Sequence, residues 1–397
     1  MRVLLMSYGS RGDVEPLAAL AARLRARGAE VRVCVPPDEE FARLLEAVGA
    51  EVVPFGMSVR ALVSGATRPD PFATAKALVA EHFETVGAAA EGCDVLLATG
   101  LLPAGARSVA GLLGIPYVFA LFQPTSIPSP DYPPLSRPGK PFPPDEKDNM
   151  VLWGLDGEKV DALYGEALNT HRAKRGLPPL TNVRDHVFTD RPWLAADETL
   201  APTDRDVVHT GAWILPDSRP LPDDVTAFLE AGEPPVYVGF GSMALKDASA
   251  EVARAAIDAV RSQGRRVLLA RGWAELAPVD DQPDCHVVGE INHQALFRRV
   301  AAVVHHAGAG TTTTATLAGV PQVVVPQIVD QPYWGSRVAA LGIGVAHDGP
   351  VPTYESLSAA LAVALAPETA VRAKAVAPTV RADGADVAAK LLIDVAG

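Results

Sequence analysis

The run Ala301-Ala302-Val303-Val304-His305-His306-Ala307-Gly308-Ala309-Gly310-Thr311-Thr312 decides the fold. Four apolar residues lead, through two histidines, into a turn of small residues, and a helix is expected from near Thr311 to Gly319. Such a turn points free backbone N–H groups and the positive end of a helix at whatever lies above the strand. Phosphate is the usual ligand. Small residues let it approach the backbone, while Thr311 and Thr312 are expected to cap the helix and donate hydrogen bonds. Side chains alternate along a strand, so only one of His305 and His306 faces the ligand. The alternative is a small-residue turn between packed histidines.

Working outward, the same strand–helix alternation repeats on both sides. Strands are expected at Pro235 to Gly239, Arg266 to Ala270, Cys285 to Val288 and Gln322 to Val325, with helices at Ala248 to Ser262 and Asn292 to Arg299. Towards the N-terminus, Val3 to Ser7, Val31 to Val35, Glu51 to Pro54, Asp94 to Ala98 and Pro116 to Ala120 read as strands. Helices follow from Pro16 to Gly28 and around Glu39 to Val48. Two parallel sheets with helices on both faces are the expected architecture. The segment Pro202 to Pro222, rich in Pro, Asp and Arg around a short strand at Val207 to Thr210, reads as a linker. The domains are then 1–204 and 223–397, joined by 205–222. Nine prolines between Pro124 and Pro144 exclude a helix or a central strand there. That stretch is either a surface flap or a binding loop, and a helix is expected after it from Gly157 to about Arg175.

A net charge of −12 over 397 residues argues against nucleic acid or an anionic membrane as the main partner. Cys34, Cys93 and Cys285 form neither a zinc pattern nor a CxxC pair and read as reduced thiols of a cytoplasmic protein. No uncharged stretch approaches the roughly 20 residues of a membrane helix. GxGxxG is absent from both first turns, Gly9-Ser10-Arg11-Gly12-Asp13 and Gly239-Phe240-Gly241-Ser242-Met243, so NAD or FAD binding lacks its usual support.

Single residues carry two readings each. Asp13 ahead of Pro16 reads by type as a helix N-cap, or else as a general base at the carboxyl edge of the sheet. Arg11 is a solvated charge or an anion ligand. Trp273 packs in the core or stacks on a flat base. Asp330 and Gln331 suit sugar hydroxyls, although Gln327 to Pro332 by composition is a turn. Asp204-Arg205-Asp206 matches a DxD metal motif but reads as a solvated charge run, and no metal is expected.

Together these pieces resemble the two-domain GT-B glycosyltransferases of family 1, in particular those that glycosylate vancomycin-type glycopeptide antibiotics. The residues that carry the resemblance start with Gly9 to Asp13 with Glu15-Pro16, Thr189 to Asp197, and Thr210 to Pro216. Val238 to Ser242, Arg271-Gly272-Trp273, His305 to Thr312 and Asp330 to Tyr333 complete it. It implies two Rossmann-like doubly wound domains facing each other across a cleft, the first for acceptor and the second for a UDP- or TDP-sugar. A final helix from about 375 would cross back to the first domain. Asp13 matches the general base. Ser10, Arg11, Ser242, His306, Gly308, Gly310 and Thr311 match the diphosphate site, Trp273 and Val288 border the base, and Asp330 and Gln331 match the sugar site. No cofactor is implied beyond the nucleotide sugar as co-substrate.

The resemblance implies hexosyl transfer with inversion, in one displacement that needs no carboxylate nucleophile. Many relatives place His where this chain has Asp13. A carboxylate base suits a phenol, with its pKa of about 10, better than an alcohol, and points to a phenolic hydroxyl of a glycopeptide aglycone. The likeness of Asp330-Gln331-Pro332-Tyr333 to glucosyl-type members favours an unmodified hexose or N-acetylhexosamine on UDP over an amino-deoxy sugar on TDP. Ser58 to Phe83 and the Pro-rich loop depart from the family pattern. The competing readings are a nucleotide-sugar epimerase of the same fold and a non-catalytic sugar-nucleotide-binding partner.

Overall fold

Val3, Leu4, Leu5 and Met6 are all completely buried although they alternate between the faces of their strand, so both faces of the sheet are covered. The computed structural model describes residues 1–64, 69–241, 243 and 249–397. It divides into two units. Met1–Glu198, Pro202–Leu215 and Ala382–Gly397 form the first, and Thr199–Ala201 with Pro216–Arg381 form the second.

The first unit holds β1 (Arg2–Tyr8), β2 (Glu30–Val35), β3 (Glu51–Pro54), β4 (Val95–Gly100), β5 (Tyr117–Leu121), β6 (Trp193–Leu194) and β7 (Val208–His209). All are parallel, in the order β3-β2-β1-β4-β5-β6-β7. Val3, Leu5, Val33 and Leu97 share a core with Leu17, Leu20 and Leu24 of the helix Arg11–Arg25 and Leu392 of the last helix, Gly384–Ala396. Asp386 ties that last helix to Arg27 at 2.8 Å. Residues expected in a linker thus contribute β7, because Val208 and His209 pair with Trp193 and Leu194.

The second unit holds β8 (Val236–Gly239), β9 (Val267–Ala270), β10 (Cys285–Val288), β11 (Ala302–His305), β12 (Gln322–Val324) and β13 (Gly344–Ala346), in the order β10-β9-β8-β11-β12-β13. Alternation splits its core. Val236, Val238, Leu269 and Val304 pack under the helices Ser249–Ser262 and Tyr354–Ala364, while Tyr237, Leu268 and Val303 pack with Phe297 and Ala315 on the other face. Both sheets contain the Rossmann order 3-2-1-4-5-6.

Three helices start earlier than the sequence suggests. The first begins at Arg11 rather than Pro16, because Ser10 supplies the N-cap and Asp13 reaches back to it. A later one spans Asn149–Ala173, capped by Asp148 on the N–H of Met150, and Gly157 lies inside it with Arg184 alongside. The third is the helix of the opening motif, described below. The expected start of another at Ala248 lies outside the described residues. Among those described, no helix is long and apolar enough to cross a membrane.

Candidate active site

Where strand order reverses, adjacent helices run to opposite faces and leave a crevice beyond the carboxyl ends of the two strands. In the second unit those strands are β8 and β11. After β11, Ala307 adopts a left-handed conformation (φ 70°), which costs an L-residue about 1–2 kcal/mol. Gly308 then caps the helix Ala309–Ala318, with no side-chain bond. Neither Thr311 nor Thr312 caps it. Thr312 Oγ1 donates to the Gly308 carbonyl at 3.0 Å and Thr313 Oγ1 to that of Ala309 at 2.8 Å, since a threonine inside a helix reaches four residues back. The N–H groups of Ala309, Gly310 and Thr311 have no acceptor within the helix. This is the arrangement that attracts an anion.

His305 is the inward histidine, fully buried, with Nε2 2.9 Å from Gln322 Oε1. His306 sits at the turn. Its ring is wedged between two glycines: a Cβ on Gly241 would lie 2.8 Å from its Cε1, and one on Gly308 2.8 Å from its Nε2. Its Nδ1 is buried with no hydrogen-bond partner among the described residues. Burial, with His293 nearby, pushes its pKa down to about 4, so the ring is neutral at physiological pH.

Gly241 lies against both His306 and the Gly272-Trp273 turn. Its carbonyl accepts the N–H of Trp273 at 2.8 Å, an approach that Gly272 allows with φ 53° and that a Cβ there would block at 2.5 Å. The Trp273 side chain is half-buried. Val288 packs in the core with Ala270 and Phe297, and its carbonyl accepts the N–H of Arg271 at 3.0 Å, so it borders this loop. Ser242 lies outside the described residues.

Asp330 and Gln331 are both engaged. Asp330 Oδ2 accepts from the Trp334 indole at 2.7 Å, and burial raises its pKa. Gln331 Oε1 accepts the N–H groups of Gln327 (2.7 Å) and Ile328 (3.0 Å), which holds a loop in which Val329 is left-handed (φ 57°). Its Nε2 lies 3.4 Å from Met243 Sδ, which ties this loop to the turn after β8.

In the first unit the reversal falls between β1 and β4. Asp13, in the first turn of the helix Arg11–Arg25, accepts from the Ser10 N–H at 2.8 Å, with the Ser10 hydroxyl at 3.4 Å. Arg11 pairs with Glu15 one turn on, at 2.8 Å, as a partly solvated helix pair. The acids of Asp204-Arg205-Asp206 are exposed and pair with Arg205 and Arg191, each at 2.9 Å. The Pro-rich stretch starts beyond the carboxyl end of β5 and is pinned to the helix Asn149–Ala173. Arg137 binds the fully buried Asp156 at 2.8 Å, Trp153 donates to the Tyr132 carbonyl at 3.1 Å, and Lys159 lies over the Phe142 ring.

Sequence reasoning missed the anchors Gln322, Gly241 and Asp156. One signal was available: Gln322 is a lone amide at the head of the apolar run Val323-Val324-Val325.

Residues 3–110 match the family model of the glycosyltransferase family 28 N-terminal domain. Residues 270–388 match that of the erythromycin biosynthesis protein CIII-like C-terminal domain. Glycosyltransferase GtfE of Amycolatopsis orientalis is 55% identical, over 100% of this chain and 98% of its own length. Vancomycin aglycone glucosyltransferase of the same organism is 54% identical, over 99% and 97%. Among solved structures, the glycotransferase of kitacinnamycin superposes with a TM-score of 0.75 at 21% identity, covering 99% of this chain and 98% of that one. That likeness shows the fold, which is GT-B. The chain is a glycosyltransferase and belongs to the family that contains GtfE and the vancomycin aglycone glucosyltransferase.

Proposed function

We propose that this enzyme transfers a hexose from a UDP- or TDP-sugar, with inversion, to a phenolic hydroxyl of a glycopeptide antibiotic aglycone. The carrying observation is His306: a buried ring wedged between Gly241 and Gly308, its Nδ1 without a hydrogen-bond partner among the described residues, at the head of a helix whose N-cap, Gly308, offers no side-chain bond. A departing diphosphate gains negative charge, and preformed N–H donors and a helix end stabilise that charge without reorganising. In this reading His306, Gly308, Gly310 and Thr311, together with Ser242, Ser10 and Arg11, receive the diphosphate. Trp273 and Val288 border the base. Asp330 accepts from sugar hydroxyls, and Gln331, whose oxygen is occupied by its own loop, offers its amide N–H.

On the acceptor side Asp13 takes the proton of the attacking hydroxyl. Its carboxylate is oriented by the Ser10 N–H, and the reaction requires no metal. The names of the relatives support the acceptor class and leave the nucleotide open, since one at 51% identity is a dTDP-epi-vancosaminyltransferase. They are named for transfer, which disfavours the epimerase and non-catalytic readings. Three unpaired cysteines fit a cytoplasmic setting.

The test is to incubate the enzyme with vancomycin-type aglycone and a panel of UDP- and TDP-sugars, followed by mass spectrometry. One added hexose is expected with at least one donor. Release of the nucleoside diphosphate with no gain of mass on the aglycone would remove the acceptor assignment.

A further inference from the structure

We infer that His305 is a positioning residue: it holds Ala307 in its left-handed conformation and so aims the N–H groups of the turn that follows. The inference rests on the reading of that turn as the diphosphate site. Ala307 donates its N–H to His305 Nδ1 at 3.1 Å, so Nδ1 is unprotonated and Nε2 carries the hydrogen. Nε2 therefore donates to Gln322 Oε1 at 2.9 Å. The amide nitrogen of Gln322 donates in turn to Thr316 Oγ1 at 3.0 Å, and the Thr316 hydroxyl hydrogen goes to the Thr312 carbonyl at 2.8 Å.

Every role in this chain is fixed by its neighbour, and all three side chains are buried to within 1%. Thr312 and Thr316 belong to the helix that the turn begins, so the chain clasps the turn to its own helix. Nothing in the methyl side chain of Ala307 favours φ 70°, whereas glycine adopts it without cost. His305 and a glycine at 307 are thus two ways to the same turn. Burial also keeps His305 neutral down to about 3, so its Nδ1 stays an acceptor.

The test is titration calorimetry of UDP and dTDP against the full chain, as a cycle between positions 305 and 307. Losing one hydrogen bond that holds the turn, His305→Leu is expected to weaken binding about tenfold when 307 is Ala and less than about twofold when it is Gly. His305→Asn, whose carboxamide oxygen can replace Nδ1 as acceptor, is expected to stay within about threefold of the parent. Equal losses in both backgrounds, or no loss at all, would overturn the inference, because packing alone is indifferent to residue 307. If His305→Leu does not fold, Thr316→Val serves in its place, with weaker binding relieved by Ala307→Gly expected and undiminished binding overturning the idea. His306→Ala separates the two levels. If it leaves affinity unchanged, the diphosphate reading itself fails. If it weakens binding while the His305 series does not, only the positioning role fails.

Discussion

Oδ2 of Asp13 accepts the backbone N–H of Ser10 at 2.8 Å, so the carboxylate proposed as base also closes the first turn of its own helix. Asp13 is not the N-cap that its residue type suggests: Ser10 is, and Asp13 bonds back to it from the first turn, a role compatible with that of a general base. The bond holds one carboxylate oxygen in a fixed place at the carboxyl edge of β1, which is what a base needs in order to meet an acceptor in one orientation.

Gly9 leaves room for that carboxylate. A Cβ at Gly9 would lie 2.2 Å from Asp13 Oδ2 and 2.4 Å from its Cγ, so Gly9→Ala must move the acid. A misplacement of about 1 Å costs on the order of 100-fold in turnover. Steady-state kinetics should show that fall in kcat, with the calorimetric affinity for nucleoside diphosphate unaltered. An unchanged kcat would mean that turnover does not depend on where Asp13 is held.

Donor binding should take up a proton through His306. Its pKa in the free protein is about 4, and a neighbouring diphosphate favours the charged ring and raises it. The bound form then holds more protons, so affinity strengthens as pH falls between the bound and free values. Calorimetry of dTDP in buffers of different ionisation enthalpy measures the uptake directly. His306→Gln should abolish the protein's share, and equal uptake in both proteins would contradict the assignment.

The buried histidines also set an acid limit on stability. Burial is the main cause in each case: it lowers His82 and His305 to about 3, His306 to about 4 and the half-buried His186 to about 4, with Arg107 and Arg172 adding to the effect on His186. Unfolded, each titrates near 6.5, so between that value and 4 the unfolded chain binds more protons than the folded one. Stability should be fully present above pH 6.5 and fall as pH drops towards 4, by up to about 1.4 kcal/mol per pH unit for each of the buried His82, His305 and His306 and by less for the half-buried His186. Urea midpoints at pH 7.5 and 5 would show it; equal midpoints would not be consistent with neutral buried rings.

Arg137 holds the Pro-rich loop through Asp156, a fully buried acid whose other partner, Arg184, is 3.7 Å away. Because Arg184 still offsets the charge, Arg137→Ala should cost about 1.5–3 kcal/mol, the value of one charged hydrogen bond, rather than more. Denaturant unfolding measures this, and a change below about 0.5 kcal/mol, as for an ordinary surface substitution, would mean that the loop is held by its other anchors.

Both sheets were legible because parallel strands buried on two faces read as continuous apolar runs, as Val3 to Met6 do. The strands Trp193–Leu194 and Gly344–Ala346 were not, since two or three residues carry no period. Pro16 and Gly157 misplaced two helix starts because they look like boundaries, yet Ser10 and Asp148 provide the caps. In the candidate site, the strand-to-turn motif left His305 and His306 as alternatives, and residue type alone hid what the side chains were bonded to. Thr312 turns to its own helix and Gln331 to its own loop, and both depend on backbone geometry that composition does not encode.

The most direct test of the account is Asp13→Asn, measured for turnover and for nucleoside diphosphate affinity in one preparation. Asparagine can keep the bond to the Ser10 N–H but cannot take a proton. The account predicts a fall in kcat of about 10²–10⁴-fold, the usual worth of a general base, with donor affinity unchanged. Undiminished turnover at normal affinity would contradict it.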